Sequence, residues 1–135
     1  MSTGIALVAL VSWLATAFVG FVLADRWVTA GGRPDTAGEA PEPKIGAKRG
    51  ITLGAHIGPA ATSLMIWGAY VLVGGAALAW SAVVVLAAGV AFGVVLFTLG
   101  HRRRARARRP MPRPVAAHAV LACVTLALAL VSLIA

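Results

Sequence analysis

Four long apolar stretches are separated by polar ones along this chain. The first runs from about Gly4 to Ala24 and stops at Asp25-Arg26. The second begins near Ile51 and runs to Val73, where Gly74-Gly75 marks a tight turn. The third runs from about Ala77 to Gly100 and gives way to His101-Arg102, and the fourth follows Pro114 and reaches Ala135. Each is continuously apolar rather than alternating, and close to the roughly 20 residues an α-helix needs to cross about 30 Å of hydrocarbon. The pattern predicts helices over about 4–24, 51–73, 77–100 and 114–135, in one domain covering 1–135. The second and third stretches read as a hairpin, with Tyr70 and Trp80 at the membrane interface. The expected fold is an all-α, integral membrane four-helix bundle.

The charges sharpen this picture. All sixteen charged side chains fall within 25–49 and 102–113. Charge is costly in hydrocarbon, so a chain that crosses a bilayer repeatedly confines it to loops. The chain is 60% hydrophobic and only 12% charged, well outside the composition of a soluble domain. Seven arginines occupy 102–113, whereas the turn at 74–76 and both chain ends carry neither Lys nor Arg. The positive-inside bias then places both basic loops, 25–50 and 101–113, in the cytoplasm, with N-terminus and C-terminus outside. The expected location is the bacterial inner (plasma) membrane. No basic residue precedes the first apolar run, so it reads as a retained helix rather than a signal peptide. Loop 25–50, rich in Gly, Pro and mixed charge, is expected to be flexible. Pro110, Pro112 and Pro114 are expected to end the third helix before the arginines and to keep 101–113 non-helical.

The chemistry available inside the spans is sparse. None of the four contains Asp, Glu, Lys or Arg, and the whole chain has no Asn or Gln and a single cysteine, Cys123. That excludes proton-coupled exporters relying on a membrane carboxylate, channels relying on Asn, and thiol oxidoreductases needing paired Cys. The ionisable candidates reduce to His56 and His118, with His101 at a boundary. His56 lies about five residues into the second helix and His118 about four into the fourth, so at 1.5 Å per residue both sit roughly 6–8 Å below the same face. Below His56 at helical spacing come Ala60, Ser63, Trp67 and Tyr70; below His118 come Ala122, Thr125, Ala129 and Ser132. Such small and hydroxylated faces favour helix contact in lipid, which points both histidines into the bundle. Pro59 is expected to kink the second helix near His56. Two readings of the pair follow. In one, His56 and His118 are polar residues that hydrogen-bond the backbone or a neighbouring helix. In the other, they are axial ligands of one haem b held between helices two and four. A quinone contact or a metal role is a third use of the same residues.

Arg49, Arg102, Arg103, Arg104, Arg106, Arg108 and Arg109 are candidates for contact with haem propionates or with anionic lipid headgroups. Nucleic acid is not an expected partner, because the arginine loop has no aromatic residue to stack on a base. The pairs Gly54/Gly58 and Gly89/Gly93 allow close helix approach, first within the bundle and second between copies.

The runs AHIGPAATSLMIWGAYVLVGGAALAW and PVAAHAVLACVTLALAL resemble a pattern shared by small actinobacterial four-helix membrane proteins, over residues 54–135. That resemblance implies a fold and no activity. More distantly, His56 and His118 give the chain a similarity to small membrane cytochromes b, which implies one haem at most. The sequence alone favours a non-enzymatic accessory or structural subunit of a larger membrane assembly, of a respiratory kind among others, contacting other membrane subunits. A mono-haem electron carrier is the alternative, and a holin-like pore former the second.

Overall fold

The computed structural model describes residues 3–29, 43–106, 108 and 110–134, without side-chain placement for 43–49 and 103. They form four helices: α1 (Thr3–Thr29), α2 (Pro43–Val73), α3 (Ala76–Arg106) and α4 (Arg113–Ile134). There is no strand among the described residues. Each helix contains a window long and apolar enough to cross a membrane, and the chain is accordingly a multi-pass membrane protein.

The helices pack as two close pairs, α2 on α3 and α1 on α4, which meet along α1–α2 and α3–α4. His56 and His118 therefore stand on the diagonal helices α2 and α4. The buried faces are those the spacing predicts: Ser63, Trp67 and Tyr70 on α2, and Thr125, Ala129 and Ser132 on α4. Ala6, Ala9, Trp13 and Thr16 on α1 and Ala79, Ala82, Val83 and Leu86 on α3 complete the core. Large apolar side chains such as Phe18, Phe21, Leu72 and Val84 point outward, as lipid-facing residues must when hydrocarbon is the solvent. In the half away from the basic loops, Trp13 and Trp67 stack at a tilt with centroids 5.6 Å apart, and Trp67 meets Tyr70 edge-on at 5.1 Å. The indole Nε1–H of Trp67 donates to the Ala6 carbonyl at 3.2 Å, tying α2 to α1. Tyr70 is thus part of the core rather than an outward interfacial residue, while Trp80 is exposed.

Several helix ends differ from the sequence expectation. Asp25–Thr29 continue α1, 43–50 open α2, and 101–106 continue α3. The arginines do not end α3. Charge is incompatible with hydrocarbon but not with a helix, and Ala and Arg are strong helix formers once the chain emerges into water. At 31 residues, α2 and α3 each rise about 46 Å, against roughly 30 Å of hydrocarbon. Their charged ends overshoot the membrane core. Pro110 and Pro112 lie in the non-helical link to α4, and the Pro112 carbonyl caps α4 by accepting from the backbone N–H groups of Val115 and Ala116. α2 continues through Pro59 without interruption. The central part of the expected flexible loop, 30–42, lies outside the described residues.

Candidate functional site

His56 and His118 meet across the bundle. Their ring centroids are 6.0 Å apart and the ring planes are nearly perpendicular, at 87°. They come from separate helix pairs and share no close sequence neighbour, so the juxtaposition is a product of the whole bundle.

Each imidazole is seated in the same way. Nδ1 of His56 bonds the Gly89 carbonyl on α3 at 2.8 Å, and Nδ1 of His118 bonds the Thr16 carbonyl on α1 at 3.1 Å. A carbonyl only accepts, so both Nδ1 atoms carry the proton. Both imidazoles are therefore fixed in the tautomer whose lone pair is on Nε2. Among the described residues neither Nε2 has a hydrogen-bond partner, and neither is fully enclosed.

The acceptor carbonyls are already bonded within their own helices, and each has one lone pair left. What opens that lone pair is the residue four positions on. At both seats it is glycine: Gly93 after Gly89, and Gly20 after Thr16. A Cβ at Gly93 would lie 2.9 Å from Cε1 of His56, and a Cβ at Gly20 would lie 2.9 Å from Cε1 of His118. The same arrangement, a free carbonyl with a glycine one turn later, thus recurs on α1 and α3. The Gly89/Gly93 pair also brings α3 close to α2, since a Cβ at Gly89 would sit 3.3 Å from the Ala60 nitrogen. Gly54 and Gly58 face open space and do not pack within the bundle.

Ala60 and Ala122 stand one turn below the two imidazoles, and Gly93 and Gly20 lie against them. No group of three or more His, Cys, Asp or Glu able to hold a metal ion occurs among the described residues. A bare metal ion would accordingly find two protein ligands here, fewer than the three or four that protein zinc sites supply. A haem, whose iron is largely held by its macrocycle, would take His56 and His118 as its protein ligands. The Nδ1–H to carbonyl bonds are of the kind that orient metal-bound histidines.

Arg102, Arg106, Arg108 and Arg113 are exposed at the same end of the bundle as the histidines, and Arg104 is half-buried there. Arg102 lies nine residues beyond Gly93, roughly 13–14 Å of helical rise. The side chains of Arg49 and Arg103, and all of Arg109, lie outside the described residues. His101 is exposed and stacks on Phe97, with centroids 6.3 Å apart, away from the pair. The lone Cys123 is exposed on α4. Sequence spacing identifies the two histidines and their common depth. It misses Thr16, Gly20 and the role of Gly89 and Gly93, whose only signal is the i, i+4 relation, and in Thr16-Gly20 one partner is an ordinary residue acting through its backbone. No protein family, no curated protein and no solved structure matches the chain at a significant level.

Proposed function

We propose that the protein is a membrane-embedded electron carrier that binds one haem b through His56 and His118. The observation that carries this reading is the pair of imidazoles from diagonal helices with ring centroids 6.0 Å apart, both with the Nε2 lone pair unpartnered among the described residues. Hydrogen bonding to the backbone accounts for each Nδ1 separately. It leaves the Nε2 lone pairs of two neighbouring imidazoles without a partner among the described residues.

Haem supplies one-electron chemistry at its iron; the chain's own residues do the rest. His56 and His118 bind and hold the tautomer. Gly89 and Thr16 orient the rings through their carbonyls. Arginines of the adjacent basic end, Arg102 and Arg104 among them, are suited to the propionate carboxylates, which need cations or water once the macrocycle is buried. With no carboxylate, paired thiol or further histidine in the spans, the chain has little with which to transform a substrate. A carrier of this kind hands electrons to another redox protein. This reading joins the haem role to that of an accessory subunit in a larger membrane assembly, with anionic headgroups around the basic end. A holin-like pore is less favoured, because Trp13, Trp67 and Tyr70 are buried against one another between the helices in the half away from the basic end.

The test is a reduced-minus-oxidised optical spectrum of protein produced with haem supplied and purified in mild detergent. A sharp α-band in the green is expected, lost in both His56→Ala and His118→Ala while the helical circular dichroism is kept. A wild-type protein without that band, or single variants that keep it at full intensity, would end the proposal.

A further inference from the structure

Three hydroxyl groups lie between α1 and α4, two turns below His118 and bearing on its seat. The Thr16 hydroxyl donates to the Ser12 carbonyl at 2.8 Å. Its single proton is thereby used, so in the 2.9 Å contact between Thr16 and Thr125 the donor is Thr125. The Thr125 proton is then used as well, and in the 2.8 Å contact between Ser12 and Thr125 the donor is Ser12. Proton counting leaves one arrangement: Ser12 to Thr125, Thr125 to Thr16, and Thr16 back to the carbonyl of Ser12. Thr125 and Thr16 are buried and Ser12 half-buried. Aligned chains of hydrogen bonds strengthen one another, and in an apolar interior they are not exchanged for water.

This closed cycle ties α1 to α4 beside the His118 bond, and the residue at its centre, Thr16, is the one whose carbonyl receives His118. At the other seat His56 meets a glycine carbonyl. From this we infer that Thr125 is a positioning residue for His118. By fixing the roll of α1 against α4, the cycle sets the length of the Nδ1–H bond to Thr16 and, through it, the basicity of the Nε2 lone pair. The effect on an iron centre rests on the haem reading above; the effect on the His118 hydrogen bond does not.

The variant is Thr125→Val, which keeps shape and removes the hydroxyl. Thr125→Ser is the rescue, and Ser12→Ala is a second lesion at the half-buried edge of the cycle should Thr125→Val fail to fold. Two readouts separate this inference from the haem reading. In ¹⁵N-histidine spectra of the detergent-solubilised, reduced protein, solvent exchange of the His118 Nδ1–H should quicken about tenfold in Thr125→Val and return towards wild type in Thr125→Ser. In potentiometric titration a weaker Nδ1–H bond makes the imidazole a poorer donor to ferric iron. The ferrous-to-ferric ratio at the wild-type midpoint should then rise two- to fivefold. Unchanged exchange in Thr125→Val and Ser12→Ala overturns the inference even if haem is bound. Quickened exchange in a protein that takes up no haem upholds the positioning role and removes the haem reading instead. Bound haem with quickened exchange but an unmoved potential overturns the redox half alone.

Discussion

Gly20 and Gly93 are positions where one methyl group decides whether an imidazole can be seated. The Cβ of an alanine at either would stand 2.9 Å from a histidine Cε1, well inside van der Waals contact. The ring cannot swing away without giving up its Nδ1–H bond to the carbonyl one turn earlier. Interhelical hydrogen bonds in membranes average about 0.6 kcal/mol, and overpacking adds about 1–3 kcal/mol. Gly93→Ala and Gly20→Ala should each lower stability by about 1–2 kcal/mol in detergent unfolding and reduce the haem recovered with the protein. Gly54→Ala and Gly58→Ala, which face open space, should stay within about 0.5 kcal/mol of wild type. Equal losses at all four glycines would mean that helix packing in general, not the histidine seats, is what these residues serve. Trp67 gives a second residue-scale prediction. Trp67→Phe keeps most of the apolar contact but removes the Nε1–H bond to Ala6, and should cost about 0.5–1.5 kcal/mol, while Trp67→Ala should cost about 3–5 kcal/mol.

The hairpin between α2 and α3 is an element whose geometry is written in two glycines. Gly74 and Gly75 adopt φ of 78° and 100°, and the Gly74 N–H closes α2 on the Tyr70 carbonyl at 2.8 Å. The Gly75 carbonyl opens α3 by accepting from Leu78 and Ala79. An L side chain at these dihedrals costs roughly 1–2 kcal/mol per residue, so Gly75→Ala should lower stability by about that much, measured by detergent unfolding. It should leave the visible spectrum unchanged, because the turn lies at the opposite end from the histidines. Elements of this kind are legible in sequence: Gly-Gly between two apolar runs has few other uses, and the faces carrying Ser63 and Trp67 or Thr125 and Ser132 follow from helical spacing alone. The ends of α2 and α3 at the charged side are less legible. Hydropathy marks where hydrocarbon stops, and helix propensity continues past that point through 43–50 and His101–Arg106. The seats of the two histidines were beyond reach for a different reason. A backbone carbonyl has no letter in the sequence, and the glycine that uncovers it on α1 is separated from its histidine by 98 residues.

At the scale of the molecule, the two close helix pairs form a bundle in which the basic segments and both imidazoles occupy one end and the glycine turn the other. Connectivity imposes the first half of this: with four antiparallel spans, the links α1–α2 and α3–α4 must share a face. Which face it is depends on charge, because translocating seven arginines in a short loop is strongly disfavoured. The histidine pair sits little more than one turn inside that end, so on the haem reading the topology would also fix the side of the membrane from which an electron partner approaches. The prediction is made in a Cys123→Ser background, since Cys123 is exposed on a helix face. A cysteine at Ala77, exposed next to the turn, should react with a membrane-impermeant thiol reagent in intact cells. A cysteine at Arg108, exposed in the basic link, should react only after the membrane is opened. The reverse pattern would put the histidines near the outer face, and their electrons would then have to be exchanged with a partner outside the cytoplasm. Labelling at both positions in intact cells would mean that the arginines do not orient the chain at all, and the side on which the redox partner docks would have to be set by an interacting subunit.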